Sequence, residues 1–524
     1  MSHSSSDHSL PEISEETPAE GDIPRMTPRQ WGVIAVATVA VMLLAIDGTV
    51  LSLAVPHLTR DLNPSSDEIL WIGDIYSFAL AGLLVTMGNL ADRIGRKKLL
   101  LIGSVGFAAA SALAAFAPSA TVLILARALL GVFGATIMPS TLSIIRDAFR
   151  HPLQRTRAIA IWSVGASGGA ALGPIVGGFL LEHFHWGSVF LINLPIMLAV
   201  IGLGIPILRE SRGENVTVDW LSAIGSVVAI IPLVWAVKHV AHVGFDVAAA
   251  ISLLIGLVVG IWFIRRQMHL DHPLLDLSLF RIPAFAGAVV STGMAIFALV
   301  GLLFFFSQYL QLVRGLSPLQ AGMVELPATV GSIVATMLAT RFLMWMGRGR
   351  AIGAGLILLG LGIGVLGLVA QVQALWPLLL SVTVVGFGVG LASTLATDAV
   401  VSAAPVERAG AASAISETSY EMGVAMGIAV LGSVQTAAYR AFLPDLSALP
   451  AETAHSIRES LARGLAALEG GVGENGMIAD AIRIAFTQGM QVAGILAVIL
   501  MFASGILAWR VIPSTREVSS GAGH

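Results

Sequence analysis

The chain has 524 residues, 56% of them hydrophobic and 12% charged, with a mean hydropathy of +0.86. A soluble domain carries about 25% charged residues, so this composition excludes an ordinary soluble protein and indicates a chain that crosses a membrane many times. The net charge of −3, with cations scattered through short loops, leaves no nucleic-acid footprint, and the absence of cysteine excludes disulfides, thiolate metal sites and Cys nucleophiles.

Residues 1–26 are rich in Ser, Glu and Pro and read as a disordered tail, without the apolar core of a signal peptide. A membrane span needs about 20 apolar residues. On that ruler fourteen spans follow, near 32–56, 69–91, 98–117, 121–145, 157–181, 188–208, 219–239, 247–265, 284–310, 319–342, 350–371, 375–399, 409–435 and 488–510. They divide into a tail (1–30), a first six-span block (31–212), two spacer spans (213–270), a second block (280–512) and a tail (513–524). With the N-terminus inside, 21 Lys and Arg residues fall on the cytoplasmic side and 7 outside, Lys238 among the latter. That bias predicts a multi-pass cell-membrane protein with both termini cytoplasmic.

The stretch 88–98 (Gly-Asn-Leu-Ala-Asp-Arg-Ile-Gly-Arg-Lys-Lys) is a charged turn between two long apolar runs. Gly95 gives the turn backbone freedom, and the cations hold it on the cytoplasmic face. Gly88, Asp92, Arg93, Gly95 and Arg96 are expected to form a conformational latch with Asp147, at the inner end of the fourth span. A degraded echo stands at 342–350 (Phe-Leu-Met-Trp-Met-Gly-Arg-Gly-Arg). Both follow the second span of a six-span block, and such repeats in membrane chains point to a transporter with its site between the halves. The long outer segment 436–487 is expected to form a helical hairpin over the outer mouth. Its first helix, 451–468, carries the stripe Ala454, Ile457, Leu461, Leu465 and Leu468, glycines break it, and a second helix, 477–486, leads into the last span.

Ionisable groups at membrane depth cost at least a few kcal/mol and mark function. Asp47, Asp74, Glu325, Glu417, Glu421 and Arg127 qualify. Asp47 and Arg127 are expected to pair. Glu417 and Glu421 stand four apart on one helix face, where two carboxylates cannot both ionise cheaply, so the pair is expected to carry a proton. Asp398, near the inner end of the twelfth span, reads as structural. Trp162, Phe305, Phe306, Tyr309 and Tyr420, with Met294, Met422 and Met426, are candidates to line an adaptable cavity for a cation. No phosphate-cradling loop, metal-site motif or nucleophile elbow is present, so the energy source is expected to be an ion gradient.

Several stretches together resemble one family, the fourteen-span drug:proton antiporters of the major facilitator superfamily, and within it the exporters of quaternary ammonium compounds and dyes. Asp47-Gly-Thr-Val50 with Ala54-Val-Pro56 resembles the first-span signature, although Ser52 stands where that signature usually has Asn. Trp71-Ile-Gly-Asp-Ile-Tyr76 resembles the opening of the second span, residues 88–98 the loop motif, and Arg127 with Gly131 the fourth-span motif. Gly169, Gly173, Pro174, Gly177 and Gly178 are similar to the fifth-span antiporter motif, a device for helix packing and hinging. Ser317–Gly322 with Pro327, and Glu407–Gly410 with Glu417 and Glu421, extend the likeness through the second half.

The resemblance implies an all-α integral membrane protein of the major facilitator fold, two six-helix bundles plus two spacer helices. It implies a secondary transporter rather than an enzyme, without cofactor, working as a monomer on protons and small lipophilic cations such as ethidium. Asp47, Arg127, Glu417 and Glu421 are then proton-coupling groups. Asp74, Glu325, Glu417, Glu421, Trp162, Phe306, Tyr309 and Tyr420 are substrate contacts. Export of a single antibiotic or metabolite is the alternative, with a membrane sensor or enzyme further off.

Overall fold

The computed structural model describes residues 26–149, 151–212, 219–270, 273, 275–403, 409–468 and 474–514. The expected tails at 1–25 and 515–524, and Glu407, Arg408, Gly470, Gly471 and Gly473, lie outside the described residues. Helix follows helix throughout. The first block comprises α1 (Pro28–Leu62), α2 (Ser66–Ile94), α3 (Arg96–Ala115), α4 (Ala120–Ala148), α5 (Pro152–His183), α6 (Ser188–Leu191) and α7 (Asn193–Ile207). Then come α8 (Trp220–Val243) and α9 (Val247–His269). The second block holds α10 (Pro283–Gln308), α11 (Pro318–Met346), α12 (Arg348–Val369), α13 (Trp376–Ala403), α14 (Ala409–Met426), α15 (Gly432–Ala441), α16 (Ala451–Glu459), α17 (Leu461–Leu468) and α18 (Glu474–Val511). Fourteen helical stretches among the described residues are long and apolar enough to span a bilayer, one at each position read from hydropathy.

Local chemistry sets the helix starts. Thr27 with Gln30, Ser65 with Glu68 and Ser317 with Gln320 close capping boxes on α1, α2 and α11, satisfying N–H groups that no helical carbonyl reaches. Proline opens α1, α5, α10 and α11, where its missing N–H is not needed. Gly95, at φ 116°, joins α2 to α3, and Gly347, at φ 83°, joins α11 to α12 in the same way. Single π turns extend α10 over Tyr309–Val313 and link α14 to α15 over Gly427–Leu431.

The two blocks meet along three seams, α2 on α14, α5 on α11 and α1 on α10. Helix α8 packs against α2 of the first block and α15 of the second, and α9 packs on α8. The outer face of α9 leaves Ile251, Leu254, Val258 and Ile261 exposed, the pattern of a lipid-facing helix.

The segment between α15 and α18 departs from the expected single helix over 451–468. It is broken into α16 and α17 at Ser460, which is extended at φ −162°, ψ 156°. The Ser460 hydroxyl accepts from Arg463 N at 3.2 Å, so it caps a new helix instead of continuing the old one. The hairpin is therefore α16 against α17, and the expected second helix at 477–486 is the first part of α18. Of the predicted stripe, Ala454, Ile457, Leu461 and Leu468 are buried and Leu465 packs against the core.

Candidate functional site

Asp47 and Arg127 meet at the centre of the first block. Arg127 Nη1 lies 3.0 Å from Asp47 Oδ2, with both side chains almost fully buried. Arg127 Nε donates to the Ile72 carbonyl at 3.2 Å, and its guanidinium lies 4.7 Å from the Tyr76 ring centre. Asp47 Oδ1 accepts from Asn193 Nδ2 at 2.9 Å, and Asn193 also donates to Ser111 Oγ at 3.0 Å. The network thus ties α1, α2, α3, α4 and α7 together. Asn193 and Ser111 were not read from the sequence, and Tyr76 only as part of the second-span motif; for Asn193 the one available signal was a lone Asn within the apolar run of the sixth span.

Glu417 and Glu421 share a face of α14 at the seam with α2. Glu421 is buried with the Ser77 hydroxyl of α2 facing it. Glu417 is half-buried, and among the described residues it has no cation partner. Tyr420, between them, keeps 39% of its surface accessible. Glu325 of α11 is buried, with Ser307 of α10 facing it and its Oε1 without a hydrogen bond among the described residues. Carboxylates therefore stand on both α11 and α14 of the second block, next to the seams with the first.

Asp74 of α2 is fully buried and has a partner that the sequence reading placed elsewhere. Lys238 was counted with the outer loops, but it lies within a membrane-spanning stretch of α8, 1% exposed, with Nζ 2.9 Å from Asp74 Oδ2. Its Nζ also stands 3.8 Å from the centre of the Trp71 ring. Five more residues of α8 follow it, to Val243, which is why hydropathy alone set the lysine at the edge.

At one end of the bundle, Arg96 bridges Asp92 at 2.8 Å and also pairs with Asp147 of α4. Of the residues expected to form a latch, Asp92 and Asp147 both meet Arg96, while Arg93 is exposed. Glu210 was not anticipated. Its carboxylate accepts from Lys97 N and Lys98 N, both at 3.1 Å, and caps the start of α3 where Gly95 has no side chain to do so. Gly88 lies 3.6 Å, from a Cβ built on it, from Pro139 of α4. The echo at 342–350 retains the same geometry. Arg348, first residue of α12, pairs with Asp398 of α13 at 2.9 Å, as Arg96, first residue of α3, pairs with Asp147 of α4. Asp398 is the counterpart of Asp147.

The fifth-span glycines serve close packing in two directions. A Cβ on Gly169, Gly173 or Gly177 would meet Met42, Thr49 or Val50 of α1, and one on Gly178 would meet Leu319 of α11. The Pro174 carbonyl faces Gly322 of α11. Helix α5 continues through Pro174. Among the aromatics, Trp162 Nε1 donates to Thr141 Oγ1 at 3.3 Å. Phe306 stacks on Tyr309, whose hydroxyl bonds the Ala370 carbonyl beyond α12. Tyr309 is therefore engaged in holding helices together, and Tyr420 is the aromatic beside the carboxylate pair. A groove of about 640 Å³ along α9, lined by Val258, Trp262, Arg266 and His269, contains no carboxylate and lies away from the seams.

The sequence profile described as Major Facilitator Superfamily matches residues 37–428. The chain is 43% identical over 483 residues to "Multidrug efflux pump LfrA" of Mycolicibacterium smegmatis, covering 92% of this chain and 96% of that one. It is 38% identical over 421 residues to "Methyl viologen resistance protein SmvA" of Salmonella typhimurium, covering 79% and 84%. Among solved structures, a bacterial homolog of the human lysosomal transporter Spinster, in an inward-facing and unoccupied conformation, aligns with a TM-score of 0.64 at 17% identity, over 93% of this chain and 98% of that one. That likeness concerns the fold.

Proposed function

The chain belongs to the major facilitator superfamily and is a membrane transporter rather than an enzyme, and from that premise we propose that it exports lipophilic cations, among them quaternary ammonium compounds and dyes such as ethidium, in exchange for protons. Its relatives are named as a multidrug efflux pump and a methyl viologen resistance protein, and methyl viologen is itself a dication. The observation that carries the reading is the placement of Glu417, Tyr420 and Glu421 together on α14, the helix that packs on α2 at the seam between blocks, with the Tyr420 ring left accessible.

The proposed cycle follows from that placement. A lipophilic cation enters between the blocks from the side of the 88–98 turn, taken as cytoplasmic. The α14 carboxylates balance its charge, the Tyr420 ring face adds about 0.5–2 kcal/mol of cation–π attraction, and Met422 and Met426 adjust to its shape. Rearrangement along the α2–α14 and α5–α11 seams exposes the cation to the opposite side. Protons arriving there neutralise the carboxylates and release it. Asp47, held by Arg127 and Asn193, couples this exchange to the first block, because any change in their spacing alters how strongly the carboxylate holds a proton. Glu325 is a further cation contact on α11.

The test is efflux of ethidium from proteoliposomes with an imposed pH gradient. Wild-type protein is expected to drive efflux that a protonophore collapses, and Glu417→Gln and Glu421→Gln to slow it at least about tenfold, roughly 1.4 kcal/mol on the barrier. Efflux indifferent to the protonophore would overturn the proposal.

A further inference from the structure

Helix α8 contributes more than a spacer. Trp71 and Asp74 stand three residues apart on one face of α2, where an indole face beside a carboxylate forms the pairing that receives ammonium groups. The ammonium present is the chain's own, Lys238 Nζ, 2.9 Å from the carboxylate and 3.8 Å from the ring centre. Neither Asp74 oxygen nor Lys238 Nζ makes a well-directed hydrogen bond among the described residues, so the two meet as a close ion pair and the carboxylate retains acceptor capacity. Trp71 packs with Phe78, Val234, Met422 and Met426 in one apolar cluster, and Met422 follows directly on Glu421. The box therefore adjoins the carboxylates of α14.

A buried ion pair is poor glue. The desolvation of both charges offsets most of their attraction, and well-packed apolar residues often hold helices as well. Helix α8 already has such contacts lower down, where Val227 packs on Gly82 and Ser226 Oγ donates to the Gly82 carbonyl at 3.3 Å. Attachment alone thus gives little reason for a lysine here.

We propose that Trp71 and Asp74 form a cation-binding box whose resident occupant is Lys238, which makes Lys238 a specificity-determining residue for organic cations. Two cations cannot share one carboxylate in a dry site without strong mutual repulsion. An arriving cation takes the box only as α8 draws Lys238 away, and a cation that interacts too weakly with Trp71 and Asp74 to displace the lysine is rejected. The inference rests on the reading of the chain as a cation exporter.

The chain has no cysteine, so a pair placed at Gly82 and Val227 forms the only disulfide. A Cβ built on Gly82 lies 3.8 Å from the Val227 Cβ, about the usual separation across a disulfide. Equilibrium ethidium binding is measured on the full-length reconstituted protein. Lys238→Gln is expected to bind about tenfold tighter than wild type. Lys238→Arg, which keeps the charge, shows no such gain, and Lys238→Gln/Asp74→Asn loses it. Oxidising Gly82→Cys/Val227→Cys weakens binding about tenfold or more, and a reductant restores it. Binding by Lys238→Gln no tighter than wild type would show that the lysine only anchors α8. Should that variant fail to fold, the disulfide, which leaves both charges in place, decides: unchanged binding in its oxidised form overturns the inference. Wild-type protein that binds no ethidium would overturn the export reading and this inference with it, whereas wild-type binding with unaltered variants overturns this inference alone.

Discussion

At the scale of single residues, company decides whether a buried charge is tolerable. Asp47→Asn leaves Arg127 without its counter-ion in a dry site, a loss of about 3–5 kcal/mol, and is expected to lower the unfolding temperature of the purified protein as well as abolish efflux. Asp47→Asn/Arg127→Gln removes both charges and should recover most of the stability but none of the efflux. Thermal unfolding of the two variants checks this; a double variant as unstable as the single one would contradict the pairing as the source of the loss. Asn193→Ala removes a neutral donor to Asp47 and Ser111 and should cost less, about 1–3 kcal/mol. The same contrast explains what the sequence revealed. Asp47 and Arg127 stood out because charge within an apolar run is expensive. Asn193 and Ser111 are uncharged and small, so their cost, and hence their signal, was slight. Lys238 misled because it lies near the end of its apolar run, and its partner belongs to a helix far away in the chain.

At the scale of helices and turns, the 88–98 turn is proposed to act as a latch, with Gly95 in a backbone conformation that only glycine adopts readily. Gly95 sits at φ 116° and its Cβ position is taken by the Glu210 carboxylate, so Gly95→Ala faces both an unfavourable backbone and a clash. It is expected to stop efflux while leaving ethidium binding within about twofold, a shift below 0.5 kcal/mol. Asp92→Asn, which weakens the Arg96 bridge, should cripple efflux with binding likewise retained. Intact efflux in Asp92→Asn would remove the latch from the mechanism. The echo shows how geometry survives sequence decay. Only the Gly-Arg of 347–348 matches clearly, yet Gly347 keeps its positive φ and Arg348 keeps an acid partner in Asp398. Asp398 was legible as structural but not as the mate of Arg348, because pairing between helices leaves no periodic trace. In the hairpin, Ser460 was unremarkable in an apolar stripe, and the capping bond that splits the helix depends on a single hydroxyl. At the other end of the molecule this hairpin reaches the first block, where Ser66 N donates to Glu459 Oε2 at 3.1 Å and Arg440 lies 3.5 Å from Glu459. Glu459→Ala should therefore loosen a strap between the blocks and speed the exchange of backbone amides at the start of α2, read by hydrogen exchange; unchanged protection there would show that the strap carries no tension.

At the scale of the whole molecule, fourteen spans were legible because twenty-residue apolar runs separated by short polar turns have few other readings. The arrangement of those spans was not. Which helices form the seams, and that α8 leans on both blocks, depend on small residues such as Gly173, Gly178 and Gly322 that admit close approach but do not announce a partner. The seams bring Glu325, Glu417 and Glu421 of the second block toward the first, and the proposed exchange of cation for proton takes place there. The most direct measurement is ethidium efflux from proteoliposomes, with and without an imposed pH gradient, for wild type, Glu417→Gln and Glu421→Gln. The account predicts gradient-driven efflux by wild type and its loss in both variants; efflux of equal rate with no gradient, or unchanged in both variants, would contradict it.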